Sequence, residues 1–154
     1  MAFSFGTKSK AELQGVDPRL VKVATIAIGR SPVDFSCHDG CRSEAEQREY
    51  VRIGASQTMD SKHRVQADGL GHAVDLVPFI NGKLRWEWEP IYQIAAVMRE
   101  VAIEEGVRLR WGGVWDKTLN DLPAGAAAMK AAVAAYCMRH PGKDFIDGPH
   151  YELK

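Results

Sequence analysis

Two strand-like runs joined by a tight-turn dipeptide constrain the fold of this chain more than any other feature of its sequence. The runs HAVDLVPFI and KLRWEW, residues 72–80 and 83–88, flank Asn81 and Gly82. Asn-Gly accommodates the positive backbone angles that a two-residue hairpin turn requires. The pattern therefore predicts an antiparallel pair of strands.

Four segments carry helical patterns, shown by an apolar face, a capping signal or a strong helix propensity. They are residues 17–32, 43–55, 89–106 and 123–141. In the first, Asp17 is placed to cap the helix and Pro18 suits its first turn. In the second, Ser43 and Glu46 stand at capping-box spacing. We therefore expect helices before and after the hairpin.

Shorter extended runs complete the pattern. VDFSCHDG and VRLRWGG are strand candidates, and in the second of them Gly112 and Gly113 allow another backbone to come close. DGPHYELK is expected to be a turn that leads into a short edge strand. With 154 residues and 45% hydrophobic side chains, the chain can bury one core. We expect one domain, residues 1–154, of α+β class: a small antiparallel sheet flanked by helices.

Composition excludes several classes of function. Twenty basic and twenty acidic side chains cancel, so no net field attracts nucleic acid. We find no apolar run of signal-peptide or membrane-spanning length, and so expect a chain made in the cytoplasm without membrane insertion. Three cysteines cannot all pair within one chain, and we expect free thiols.

Residues 61–76, SKHRVQADGLGHAVDL, concentrate side chains that can bind metal. Asp75 interrupts an apolar run, so it must be paired, hydrated or metal-bound if that strand is buried. Catalytic zinc sites use three imidazole or carboxylate ligands and keep one open position. His63, His72 and Asp75 could meet Asp147 and His150 from the C-terminal segment. Spacing alone leaves both a polar turn and a metal site open.

Three short motifs resemble those of zinc peptidases that cut bacterial cell-wall peptides. This group includes D-alanyl-D-alanine carboxypeptidases, related dipeptidases and phage L-alanyl-D-glutamate endopeptidases. The motifs are S-x-H at Ser61 and His63, G-x-A-x-D at Gly71, Ala73 and Asp75, and D-x-x-H at Asp147 and His150. Gly40, Arg42, Ser43 and Gln47 match a further motif, and GASQTM, GHAVDLVP and RWGGVW resemble phage-type runs. The resemblance covers about residues 35–115 and 144–153.

The resemblance implies a fold of the D-Ala-D-Ala carboxypeptidase and hedgehog type with a Zn²⁺ cofactor. The implied zinc ligands are His63, Asp75 and His150. Asp147 would be the general base. Arg42 would hold the substrate and stabilise the oxyanion, and Ser61 and Gln47 would be further substrate-binding residues.

The resemblance also implies a function. The chain would be an endolysin that hydrolyses the L-Ala–D-Glu bond of the peptidoglycan stem peptide. It would act as a monomer on the cell wall, in the periplasm, after release from the host cytoplasm. The alternatives are a D-alanyl-D-alanine carboxypeptidase and a non-catalytic zinc-containing binding domain.

The first histidine lies farther from the aspartate than the family pattern leads us to expect. His63 and Asp75 are twelve residues apart, and RVQAD, residues 64–68, has the character of an insertion. Either this loop bulges outward, which we favour, or His72 replaces His63. A rival zinc site, CHDGC at residues 37–41, lacks a second cysteine pair.

Overall fold

The computed structural model describes residues 2–56, 58–142 and 145–154. The described residues form five α-helices, one 3-10 helix (Leu119–Asp121) and six strands. The helices are α1 (Thr7–Leu13), α2 (Pro18–Arg30), α3 (Glu44–Arg52), α4 (Trp88–Glu105) and α5 (Ala126–Arg139). The strands are β1 (Phe35–Asp39), β2 (Ala73–Ile80), β3 (Lys83–Leu84), β4 (Leu109–Trp111), β5 (Val114–Thr118) and β6 (His150–Leu153). Gln57 and Asp144, which belong to motif-bearing segments, lie outside the described residues.

The capping and turn signals of the sequence are confirmed. The Asp17 carboxylate accepts a hydrogen bond from the Arg19 amide at the start of α2. Both hydrogen bonds of the Ser43 capping box are present at the start of α3. Asn81 and Gly82 have φ angles of 54° and 76°, as a tight hairpin turn between β2 and β3 requires.

The strands form one antiparallel sheet in the order β1-β2-β6-β4-β5, and β3 pairs with the far end of β2. The expectation that the C-terminal strand lies at an edge is therefore wrong. β6 pairs with β2 on one side and with β4 on the other. All four of its residues are buried, because a central strand is covered on both sides.

Helix α4 forms the middle of the helical layer and packs against α2, α5 and the sheet. Its buried face includes Ile91, Ile94, Met98 and Val101, which burial of apolar surface holds against the core. The second strand of the hairpin, expected over residues 83–88, is shorter: it ends at Leu84, residues 85–87 are irregular, and α4 begins at Trp88. Among the described residues, no helix combines the length and apolar character needed to cross a bilayer.

Candidate metal centre

Two imidazoles and one carboxylate converge where β2 meets β6. The register of these strands pairs Asp75 with His150, and the loop before β2 adds His63. His63 Nε2 lies 3.2 Å from Asp75 Oδ1 and 3.2 Å from His150 Nδ1. His150 Nδ1 lies 3.3 Å from Asp75 Oδ1. Three side chains that are far apart in sequence thus direct one atom each to a common point.

The outward hydrogen bonds of the two rings determine which nitrogens face this point as acceptors. The Nδ1–H of His63 donates to the Gly40 carbonyl oxygen at 2.8 Å. The Nε2–H of His150 donates to Glu152 Oε1 at 2.8 Å. When the rings are neutral, as metal ligands must be, each carries one N–H, and lone pairs are then directed at this point from His63 Nε2 and His150 Nδ1. Two such lone pairs and a carboxylate oxygen, all within 4.8 Å of one another, form a donor set for a cation.

The electrostatics of the cluster also favour positive charge. Burial opposes protonation of His150, but the carboxylates of Asp75 and Glu152 outweigh it and raise the pKa of His150 to about 9. Without a cation the ring therefore carries a second proton, on Nδ1, which a bound metal ion would displace. Burial disfavours ionisation of Asp75, but hydrogen bonds with both imidazoles hold its pKa well below the usual range. A cation bound here would meet an ionised carboxylate.

The loop before β2 places His63, and not His72, beside Asp75. The His63 amide donates to Ser61 Oγ at 3.2 Å, and the His63 carbonyl accepts from the Arg42 amide at 2.7 Å. The RVQAD segment forms a separate turn, and its Asp68 contacts His72 Nε2 at 2.8 Å. The longer interval thus leaves the three converging side chains together.

Asp147 lines the same cavity of about 480 Å³ as the three converging side chains. Its amide donates to the Gly112 carbonyl oxygen at 2.8 Å, and its carbonyl accepts from the His150 amide at 3.0 Å. Burial, assisted by the nearby Asp75 carboxylate, raises the pKa of Asp147 to about 6. A Cβ on Gly112 would lie 2.1 Å from the Asp147 carbonyl oxygen. The close approach expected at this glycine is thus found.

Arg42 also lines the cavity, whereas Gln47 lies behind it. Arg42 donates from Nε and Nη2 to Asp39 and from Nη1 to Gln47 Oε1. Gln47 is fully buried, and its amide nitrogen donates to Ser56 Oγ and the Thr58 carbonyl oxygen. In the described structure Gln47 thus positions Arg42 and the loop, and its expected contact with substrate remains a prediction.

The side chains of CHDGC point in different directions. Cys37 is buried with its thiol on the Asp39 carbonyl oxygen, and the His38 ring contacts Trp86 edge-on at 5.7 Å. Among the described residues, no metal-competent group includes Cys37, His38 or Cys41. The rival zinc site is not formed there.

A second group of metal-competent side chains combines one buried, one exposed and one partly buried residue. It consists of Asp17, Asp68 and His72. Both carboxylate oxygens of Asp17 accept hydrogen bonds from the Arg19 guanidinium, and Asp68 contacts His72. These side chains are therefore paired with one another or with arginine.

Sequence reasoning did not identify Glu152, Arg110 or Trp115 as parts of the site. Alternation along a strand places Glu152 on the same face as His150, which is the signal that could have found it. Arg110 pairs with Glu152 across β4 and β6. Trp115 packs on the His150 ring with centroids 5.1 Å apart.

Comparisons with known proteins show the family of the chain. The family model of phage L-alanyl-D-glutamate peptidases matches residues 1–124. The chain belongs to this family. The L-alanyl-D-glutamate peptidase of Escherichia phage T5 is 35% identical over 120 residues, which are 75% of this chain and 84% of the phage protein. The family resemblance inferred from the motifs is confirmed.

A solved structure extends the similarity to the C-terminal segment. The crystal structure of the Serratia marcescens L-Ala D-Glu endopeptidase ChiX matches with a TM-score of 0.70 and 36% sequence identity. The match covers 100% of this chain and 90% of that chain. Asp147 and His150 follow the family-model match, so the structural similarity includes the part of the site that the family model does not cover. The expected α+β fold is confirmed.

Proposed function

We propose that this chain is a zinc-dependent peptidoglycan peptidase that hydrolyses the L-Ala–D-Glu bond of the stem peptide. The observation that carries the proposal is the convergence of two imidazole lone pairs and one carboxylate oxygen in a cavity that also contains a buried aspartate and an arginine. The names of the family and of both relatives supply the bond.

The donor set fits Zn²⁺ as the cation. Two neutral imidazoles and a carboxylate are ligands that zinc accepts, and three protein ligands leave the open position of a catalytic site. In this proposal, His63, Asp75 and His150 hold the ion. When bound, zinc lowers the pKa of water toward ~7 and polarises the scissile carbonyl.

Asp147 would transfer the proton. Its raised pKa, about 6, is close to neutral pH, where a general base combines ionisation with useful basicity. Asp147 takes a proton from the attacking water and gives it to the nitrogen of the leaving D-glutamate amine. The backbone contacts with Gly112 and His150 fix its position for both transfers.

Arg42 would stabilise the developing oxyanion. A guanidinium has five N–H donors, and three of those on Arg42 are bonded to Asp39 and Gln47. The Tyr50 ring stacks 4.1 Å from the guanidinium carbon. Donors that are held rigidly before the reaction lower the barrier most effectively. Ser61 supports the site through its hydrogen bond with His63.

The proposed setting follows from the substrate. The chain would act as a monomeric, single catalytic domain on the cell wall, with the peptidoglycan stem peptide as its partner. We propose that it reaches the periplasm after release from the host cytoplasm.

Mass spectrometry of digested muropeptides tests the function. We expect new termini at L-alanine and D-glutamate and one zinc per chain. Release of terminal D-alanine with the Ala–Glu bond intact would identify a carboxypeptidase instead, and zinc binding without cleavage would identify a binding domain.

Two variants test the assigned roles. Asp147→Asn should keep zinc and fold while losing about 100-fold or more in kcat, since general-base catalysis contributes about 10²–10⁴-fold. His150→Ala should lose zinc as well. An Asp147→Asn protein that digests cell walls at the parental rate would refute the role of Asp147.

A further inference from the structure

The chemistry of the proposed substrate requires an anion-binding group near the scissile bond. In an L-alanyl-D-glutamyl peptide, the glutamate amine forms the scissile amide. The residue still has two carboxyl groups, and the peptide can continue through only one of them. A free carboxylate therefore remains on the leaving residue, next to the bond that is cut. This inference rests on the proposed function.

Three cationic side chains line the described part of the cavity: Arg42, Lys62 and Arg110. Arg42 is buried, with a relative exposure of 7%, and three of its donors are already bonded. Lys62 is exposed, and a single ammonium on a flexible stem provides little geometric selectivity. Arg110 differs from both.

The guanidinium of Arg110 is held in place and still open to a ligand. Its Nη1 lies 3.6 Å from Glu152 Oε2, which is beyond hydrogen-bond length. Within the described residues, the Arg110 side chain makes no hydrogen bond, and its Nε is buried without a partner. The side chain is 38% exposed, so ligand access remains. The ion pair with Glu152 at this distance orients the Arg110 guanidinium and leaves its N–H donors available to a ligand.

The strand register fixes Arg110 relative to the reacting centre. Arg110 lies opposite Glu152 in the pairing of β4 with β6, and Glu152 accepts the hydrogen bond from His150. Arg110 is thus separated from a proposed zinc ligand by one carboxylate. Groups on paired strands hold their positions better than groups on loops.

We propose that Arg110 binds the free carboxylate of the D-glutamate residue and determines specificity for it. The planar guanidinium matches a carboxylate with two parallel N–H···O bonds. Arg110 acts on recognition of the leaving residue, whereas Arg42 acts on the scissile carbonyl.

A pair of peptides tests this proposal on the zinc-loaded, full-length protein. One peptide contains L-Ala–D-Glu with the free carboxylate, and the other has a carboxamide in its place. The parent should prefer the carboxylate peptide by about 10- to 100-fold in kcat/KM, mainly through KM, as expected for one charge-assisted bidentate contact. Arg110→Gln should abolish the preference, bringing the two values to within about twofold of each other.

Two further variants separate recognition from a structural role. Arg110→Lys keeps the charge without the fork and should retain part of the preference. Lys62→Gln, which removes the other available cation of the cavity, should retain all of it. The zinc content of every variant shows whether the contacts from residue 110 through Glu152 to His150 are intact.

Several results would overturn the inference. If Arg110→Gln lowered kcat/KM equally for both peptides and left the preference unchanged, Arg110 would only support Glu152. Loss of the preference in Lys62→Gln would assign recognition to that lysine. A parent that cleaves both peptides equally would refute this inference alone, whereas a parent that cleaves neither would refute the proposed function and this inference with it.

Discussion

Replacing Gly112 with alanine tests how the proposed base is positioned. An added Cβ would lie 2.1 Å from the Asp147 carbonyl oxygen and 3.1 Å from Asp147 Cβ. Side-chain Cβ atoms essentially never come within 3.0 Å of such atoms, so the separation must grow by about 0.9 Å. Gly112 is not in the left-handed region, so the change probes the close approach and not backbone strain.

The expected loss follows from this displacement. Moving a reacting group by about 1 Å can cost about 100-fold in rate, and overpacking typically costs ~1–3 kcal/mol of stability. Gly112→Ala should therefore lower kcat for L-Ala–D-Glu hydrolysis by about 100-fold and lower the free energy of unfolding by ~1–3 kcal/mol. Initial rates measured well below the Tm, with zinc content per chain, separate the two effects.

Gly29→Ala is the matched control. Gly29 lies in α2, and among the described atoms none outside its own helix turn lies within 4 Å of an added Cβ. This variant should keep full activity and gain ~0.5–1 kcal/mol from the higher helix propensity of alanine. Full activity of Gly112→Ala at parental stability would refute the claim that the Asp147 backbone is fixed by this contact.

Three further variants test neighbouring parts of the site and fold. Glu152→Gln should weaken zinc binding by about 10- to 100-fold, because the carboxylate that orients His150 is lost; competition with a zinc chelator measures this, and unchanged affinity would contradict it. Gln47→Leu should lower kcat with zinc retained, because leucine cannot accept the hydrogen bond from Arg42; an unchanged kcat would show that Arg42 needs no such support. Hydrogen bonds from an arginine of α5 hold the pKa of Asp116 at about 2. The Asp116 side chain is about one-third exposed, so its ion pair should contribute less than ~1 kcal/mol, present above pH ~4 and lost as the pH falls toward 2. Asp116→Asn should therefore lower the Tm more at pH 7 than at pH 2, and equal shifts at both would refute this.

Local signals predicted the helices and the hairpin because each one is read over a few neighbouring residues. The cap at Asp17, the capping box at Ser43 and the Asn81-Gly82 turn are local chemistry. α1 was not predicted because it is short, and its buried residues are only Ser9 and Leu13. β5 was not predicted either, because VWDKT combines polar and apolar residues without clear alternation.

Long-range placement could not be predicted from local patterns. The C-terminal strand, which contains a histidine and a glutamate, was expected at an edge but lies inside the sheet. Both are buried because they bond to each other and because Arg110 pairs with Glu152 across β4. Pairing of buried polar side chains across strands depends on the order of the strands in the sheet. The residue spacing within one segment does not determine that order.

The site was anticipated from motifs, whereas its geometry came from tertiary structure. The resemblance named the residues that converge, but the register that pairs Asp75 with His150 is visible only in the folded chain. Likewise, Gln47 matched a motif that implied substrate contact, yet it is buried behind Arg42. A motif identifies side chains near a site without showing which of them the substrate can touch.

Anomalous diffraction at the zinc edge, on crystals of the zinc-loaded protein, tests the central claim most directly. The account predicts one strong peak bonded by His63 Nε2, Asp75 Oδ1 and His150 Nδ1 at about 2.0–2.2 Å. A peak at another group of side chains, or none in the cavity, would contradict it.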